Sequence, residues 1–357
     1  MTEQKENAAR SLFQMLAPDD FAYYLNTDAE KLDVLRQQGI ASGLDVETIE
    51  LFISQLNTFD PTYSNHRGIQ EIVKNFSRTG GWVDQDFFER VFVGVTHSPI
   101  ASASAVPGDS EDDGALCLYE NGLMQAIIFA SDTFSYFGQS LKGGSASSKE
   151  CNRYLHQVLD VFSQWRTNAA NIDQQDTITF REKYSIGDDF ATSIAGIADA
   201  FVVGHEMGHH LLGHTDLRFL DVKALEQIKL LAYNLDHLED GIDEYLPDMI
   251  AFNLISDSPL NFRNMQPQSI LSGLLGGAMA LTTISLLMSD PYKSTPSHPP
   301  ANYRFDNYLA YAEFHILPLS LNASVPREQI LQVKRFRKEA QFFFDSLNRL
   351  RRERREY

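Results

Sequence analysis

Apolar residues recur at three- and four-residue spacing through much of the chain, the period of a helix with one buried side. This spacing predicts helices from Ala29 to Gln38 and from Val46 to Leu56, with Thr27-Asp28 and Asp45 as caps, so the first ninety or so residues read as a helical region. The pattern changes near residue 91. Val91-Phe92-Val93-Gly94-Val95, Leu116-Cys117-Leu118-Tyr119 and Met124-Gln125-Ala126-Ile127-Ile128-Phe129 are short apolar runs. The last two flank Asn121-Gly122, which predicts a β-hairpin. Acidic Pro107 to Gly114 and Gly/Ser-rich Gly143 to Ser148 read as loops. Helical spacing returns from Lys149 to Arg166, and again from Gly187-Asp188-Asp189 onward, where Phe190, Ile194, Ile197, Phe201 and His205 recur. The pattern as a whole predicts an α+β chain, mainly helical, with a small antiparallel sheet.

The last of these helices runs into Gly204-His205-Glu206-Met207-Gly208-His209-His210-Leu211-Leu212-Gly213-His214. Four residues is close to one helical turn, so His205 and His209 share a side and can turn two imidazole nitrogens to one ion. Glu206 stands beside them. A carboxylate there can take a proton from water acidified by zinc, the chemistry of amide hydrolysis. A second zinc class needs its third His ten residues after the first, and position 215 is Thr. His214 therefore reads as a supporting residue near the helix end, where an imidazole meets the negative end of the dipole. His210 points to another side. With ten histidines in the chain, the motif alone arises by chance too often to define a function.

A catalytic zinc takes three protein ligands and keeps one position open, so a further carboxylate is required. Glu244 fits, and Asp248 one turn later can accept a proton from the distal nitrogen of a ligating His, fixing its tautomer. Pro247 is tolerated in a first helical turn, which predicts a helix starting near Asp243 or Glu244. A solvated acidic helix start is the competing reading. Downstream, Ser297-His298-Pro299-Pro300-Ala301-Asn302-Tyr303-Arg304 sets His298 and Arg304 around a stiff Pro-Pro step, where both can donate to an oxyanion. Taken alone it is a Pro-rich loop.

In this order, His205-Glu206-x-x-His209, Glu244-Tyr245-x-x-Asp248-x-x-Ala251 and His298-Pro299-Pro300-x-x-x-Arg304 resemble the gluzincin metallopeptidases of the HtpX and CAAX prenyl protease type. The resemblance spans roughly residues 190 to 310. It implies a zincin-like metallopeptidase core with zinc on His205, His209 and Glu244. Glu206 would be the general base, Asp248 would support a ligand, and His298 and Arg304 would line the active site. It also implies a protein or peptide substrate, laid along an edge strand beside the active-site helix.

Composition narrows the setting. The 357 residues are 43% hydrophobic and 11% aromatic, enough for a large core and against disorder. A net charge of −18 argues against general nucleic-acid binding, whose affinity comes from Lys and Arg on phosphates. Only Cys117 and Cys151 occur, and Met1 to Asn7 lacks the apolar run of a signal peptide, so a reducing cytoplasm without disulfides is expected. Ile270 to Met288 is uncharged over 19 residues, long enough to span a bilayer. A crossing there would part Glu244 from His298, so a buried helix is expected and membrane association is the less favoured reading. Basic Lys334 to Arg355 surrounds Phe342-Phe343-Phe344 and predicts an amphipathic helix docked by its aromatic side on the protein itself. The chain thus divides into helical residues 1–90, a metallopeptidase region 91–323 and a basic helix 324–357. The expected function is zinc-dependent endopeptidase. A catalytically silent zinc-stabilised sensor or scaffold, and a membrane-associated quality-control protease, are the alternatives.

Overall fold

The computed structural model describes residues 7–25, 29–41, 43–57, 59–107, 114–143, 148–167, 179, 189–222, 225–226, 228, 242–257, 266–294, 298–322 and 324–355. Among the described residues the first helices are α1 (Ala8–Leu16), α2 (Pro18–Leu25), α3 (Ala29–Ala41), α4 (Val46–Asn57), α5 (Arg67–Thr79) and α6 (Gln85–Arg90). Strands β1 (Val91–Thr96), β2 (Ala103–Val106) and β3 (Ala115–Glu120) follow. Helices α7 (Asn121–Gly143), α8 (Ser148–Thr167), α9 (Asp189–Leu211), α10 (Ile242–Ser256), α11 (Pro267–Leu287), α12 (Ala301–Leu321) and α13 (Arg327–Arg355) complete the order. Gly187, Asp188 and Ser297, and the acidic loop's centre, lie outside the described residues.

The α+β, mainly helical class holds, and the small sheet is mixed. β3 lies in the middle, parallel to β1 from Val91↔Ala115 to Thr96↔Glu120 and antiparallel to β2 from Ala103↔Tyr119 to Val106↔Leu116. The expected hairpin at Asn121-Gly122 is not formed, because that pair opens α7 instead. Gly122 donates its N–H to the Ser98 carbonyl at 2.9 Å, and a Cβ there would stand 2.1 Å from the Pro99 oxygen. The glycine thus admits a neighbouring chain and does not reverse a strand. Beyond it Leu123, Ala126, Ile127, Ala130, Phe134 and Phe137 are buried at helical spacing, a period the run Met124 to Phe129 was too short to reveal.

One side of the sheet is closed by α1 and α2, through Phe13, Phe21 and Phe92. α7 and α9 lie against the strands through the main core, which is continuous from Ile69 to Leu350. α11 is long and apolar enough to cross a membrane by length and composition, but 83% of its most apolar window is buried inside the protein. It packs against α9, α10, α12 and α13. α13 turns Val333, Phe336, Ala340, Phe343, Leu347 and Leu350 inward at alternating three- and four-residue steps. Phe344 stacks on Phe305 of α12 with ring centres 3.8 Å apart, and Arg351 donates to the carbonyls of Ser285 and Ser289 at the end of α11. The aromatic side of the basic helix is therefore docked on its own chain, as its pattern predicts.

Candidate metal centre

The site is made where α9 crosses α10. Gly204 and Gly208 sit one turn apart on α9, opposite Ala251 and Pro247, one turn apart on α10. A Cβ on Gly204 would lie 3.1 Å from the Ala251 Cα, and one on Gly208 would lie 2.9 Å from the Pro247 Cα. Only glycine lets the backbones approach so closely. Pro247 falls in the second turn of α10, a little deeper than its expected place in the first. The hydrogen bond it forgoes belongs to the carbonyl of the exposed Asp243, where the cost is small. Glu244 remains in the first turn, where the helix dipole favours a carboxylate.

This crossing brings the expected residues together. His205 Nε2 and His209 Nε2 are 3.1 Å apart. Glu244 Oε2 lies 3.4 Å from His205 Nε2, and its Oε1 lies 3.8 Å from His209 Nε2. One ligand atom from each of the three residues can be chosen so that all lie within 4.8 Å of one another. His205 and Glu244 are buried and His209 is partly so.

Each imidazole is held from behind. His205 Nδ1 stands 2.8 Å from Asp248 Oδ1, and donation of its N–H there directs Nε2 toward Glu244 and His209, where it has a lone pair to offer once its own proton is displaced. His209 Nδ1 lies 2.9 Å from His214 Nδ1, and His214 Nε2 lies 3.9 Å from Asp243. Arg304, in the first turns of α12, is buried. Its Nε and Nη2 bind both oxygens of Asp248 at 3.0 and 2.7 Å, and its Nη1 lies 3.0 Å from Glu244 Oε2. Arg304 is thus paired with the two carboxylates on the buried side of the cluster, a task that its place in the sequence did not suggest. His298 is half exposed, with Nε2 3.5 Å from Glu244 Oε1.

The electrostatics follow from the packing. Burial opposes charge on His205, but Asp248 and then Glu244 outweigh it and raise the imidazole to about 10. Burial and the neighbouring His205 push His209 down to about 2. Glu244 is held well below the carboxylate range: burial works the other way, and His205 and Arg304 override it. Without a metal, His205 is therefore protonated on both nitrogens and paired with the two carboxylates, while His209 is neutral. A metal ion would take the place of the His205 Nε2 proton, and the resulting set of two imidazole nitrogens and a carboxylate oxygen fits zinc.

Glu206 stands between this trio, whose charges it feels, and the sheet. It is buried, and burial raises its carboxyl above the ordinary range despite a hydrogen bond accepted from the Ala105 N–H. Ala105 belongs to β2, the edge strand that packs beside α9. Three strand runs were expected from the sequence, and β2 was not among them, because Ala-Ser-Ala-Val has neither bulk nor β-branching until its last residue. Further along the same side of α9, Asp199 accepts the Tyr119 hydroxyl hydrogen at 2.6 Å. His210 lies 3.0 Å from the Leu116 carbonyl oxygen and accepts from Thr215 at 2.6 Å, which pins the helix to β3. Neither Asp199 nor the glycine pair carried a sequence signal beyond ordinary helical spacing.

A helix bearing two histidines and a glutamate at one turn, crossed by a second helix bearing an acid, belongs to a class of peptidases, and the comparison with known families agrees. Residues 137–316, about half of the chain and all of the site, match the model of the Peptidase U49 family, and the chain belongs to that family. No curated protein and no solved structure matches it.

Proposed function

We propose that this peptidase is a zinc-dependent endopeptidase with His205, His209 and Glu244 as ligands. The observation that carries the reading is the convergence of those three donors within 4.8 Å, beside a further acidic residue, Glu206, that is not one of them. Zinc in that position supplies a Lewis acid that acidifies water and polarises a carbonyl oxygen.

The chain's own groups do the rest. Glu206, its carboxyl already raised by burial, takes a proton from the attacking water and returns it to the leaving amine. Asp248 fixes the tautomer and tilt of His205, and His214 does the same for His209. Arg304 locks Asp248 and Glu244 in one arrangement. His298, half exposed beside Glu244, is the group placed to donate to the oxygen of the scissile carbonyl. β2 offers an edge for an extended peptide next to the base, in the cytoplasmic setting proposed for this chain.

The test is zinc content and casein hydrolysis for the wild type and Glu206→Gln. Retained zinc with hydrolysis at background is the expected result for the variant. Equal hydrolysis by both proteins removes Glu206 from the mechanism, and wild type without stoichiometric zinc removes the metal.

A further inference from the structure

We propose that the outward side of α13, with the adjoining end of α12, docks on an anionic lipid surface. Ten of the chain's 30 Lys and Arg stand in α13, against four of its 48 Asp and Glu. The helix therefore carries +6 on a protein that is otherwise −24. Its inward seam is used up by the core, which leaves a separate outward ridge of Leu331, Lys334, Lys338, Phe342 and Arg349 at helical spacing, with Asp345 the single acid among them. At 1.5 Å per residue that ridge is about 27 Å long. Lys334, Lys338 and Arg349 form no ion pair among the described residues.

α12 extends the same surface. Phe314, Leu317 and Leu321 lie on one side at three- and four-residue steps, and the last two are 61% and 78% exposed. The two helices pack side by side, with Phe305 on Phe344 in the core and Arg337 on Glu313 at 2.8 Å along the exposed seam. Cations interleaved with exposed leucines and phenylalanines match the headgroup and acyl boundary of a bilayer, where the charges meet anionic lipid and the apolar side chains leave water. A nucleic acid would reward the cations alone, which is why a membrane is favoured. The acidic remainder of the protein is repelled by such a surface and directs this side toward it.

The full chain is sedimented with vesicles of phosphatidylcholine alone and with vesicles containing about one third phosphatidylserine. The expected result is binding only to the second kind, weakened by at least about tenfold in Lys334→Glu/Lys338→Glu. Leu317→Ser/Leu321→Ser should also weaken it, and more visibly at high salt, where the charges are screened. Both pairs are exposed and remote from the metal centre, and the readout needs neither zinc nor hydrolysis. Equal binding to both vesicles, no binding to either, indifference to both variants, or tighter binding to duplex DNA overturns the proposal.

Discussion

Gly208 and Pro247 meet across the helix crossing with no room for a side chain, a Cβ on the glycine falling 2.9 Å from the Pro247 Cα. The separation of α9 and α10 decides whether Glu244 reaches the two imidazoles, so this contact belongs to the site although neither residue is chemical. Gly208→Val should force the helices apart. A stability loss of about 1–3 kcal/mol is expected from the overpacking, with zinc affinity falling as well. Denaturant unfolding and zinc titration read the two effects separately, and a variant unchanged in both would mean that the crossing tolerates the added bulk.

The buried trio Asp248, Arg304 and Glu244 makes a second prediction. Arg304→Met leaves two carboxylates facing each other without their cation, and breaking a buried pair from one side costs about 3–5 kcal/mol. Asp248→Asn, which removes one charge and weakens the hold on His205, should lower zinc affinity by about 10- to 100-fold. Combining the two should recover part of the stability lost by Arg304→Met but none of the zinc affinity. Strictly additive stability losses would argue that the residues are not coupled.

The pairing of the site residues within each helix was legible in the sequence because they repeat at helical spacing. His205 and His209 must share a side, as must Glu244 and Asp248, whatever the rest of the chain does. What was not legible depends on partners distant in sequence. Gly204 and Gly208 gain meaning only from Ala251 and Pro247. Arg304 looked like a donor to substrate until the placement of Asp248 and Glu244 showed where its guanidinium is spent. Asn121-Gly122 misled for a local reason, since the residues that favour a tight turn also suit the first turn of a helix whose backbone is approached by another chain.

Tyr119 and Asp199 give a pH-dependent prediction outside the cluster of His205, His209 and Glu244. Burial raises Asp199 from its ordinary 3.8 to about 7, against the hydrogen bond from Tyr119. The folded protein therefore keeps a proton that the unfolded chain releases. Stability from this group is complete below about pH 4 and is lost as pH rises through about 7. Asp199→Asn can still accept the Tyr119 hydrogen bond but never ionises. It should match the wild type near pH 4 and exceed it by about 2–4 kcal/mol at pH 8, as measured by urea unfolding at both values. An equal difference at the two pH values would contradict the raised carboxyl.

His315 provides the opposite slope. It is buried in α12 against Phe252 and Tyr311, with ring centres 4.7 and 4.9 Å away, and burial lowers its imidazole from 6.5 to about 3. The folded state holds it neutral while the unfolded state takes up a proton below pH 6.5, so its contribution is present above 6.5 and is lost as pH falls toward 3. His315→Phe preserves the ring packing and removes the titration. The variant is expected to lose less stability than the wild type between pH 7 and pH 4, by about 2–3 kcal/mol, even if it is the weaker protein at neutral pH. Thermal midpoints across that range suffice as the measurement. Parallel curves for the two proteins would show that acid unfolding of this fold is governed by other groups.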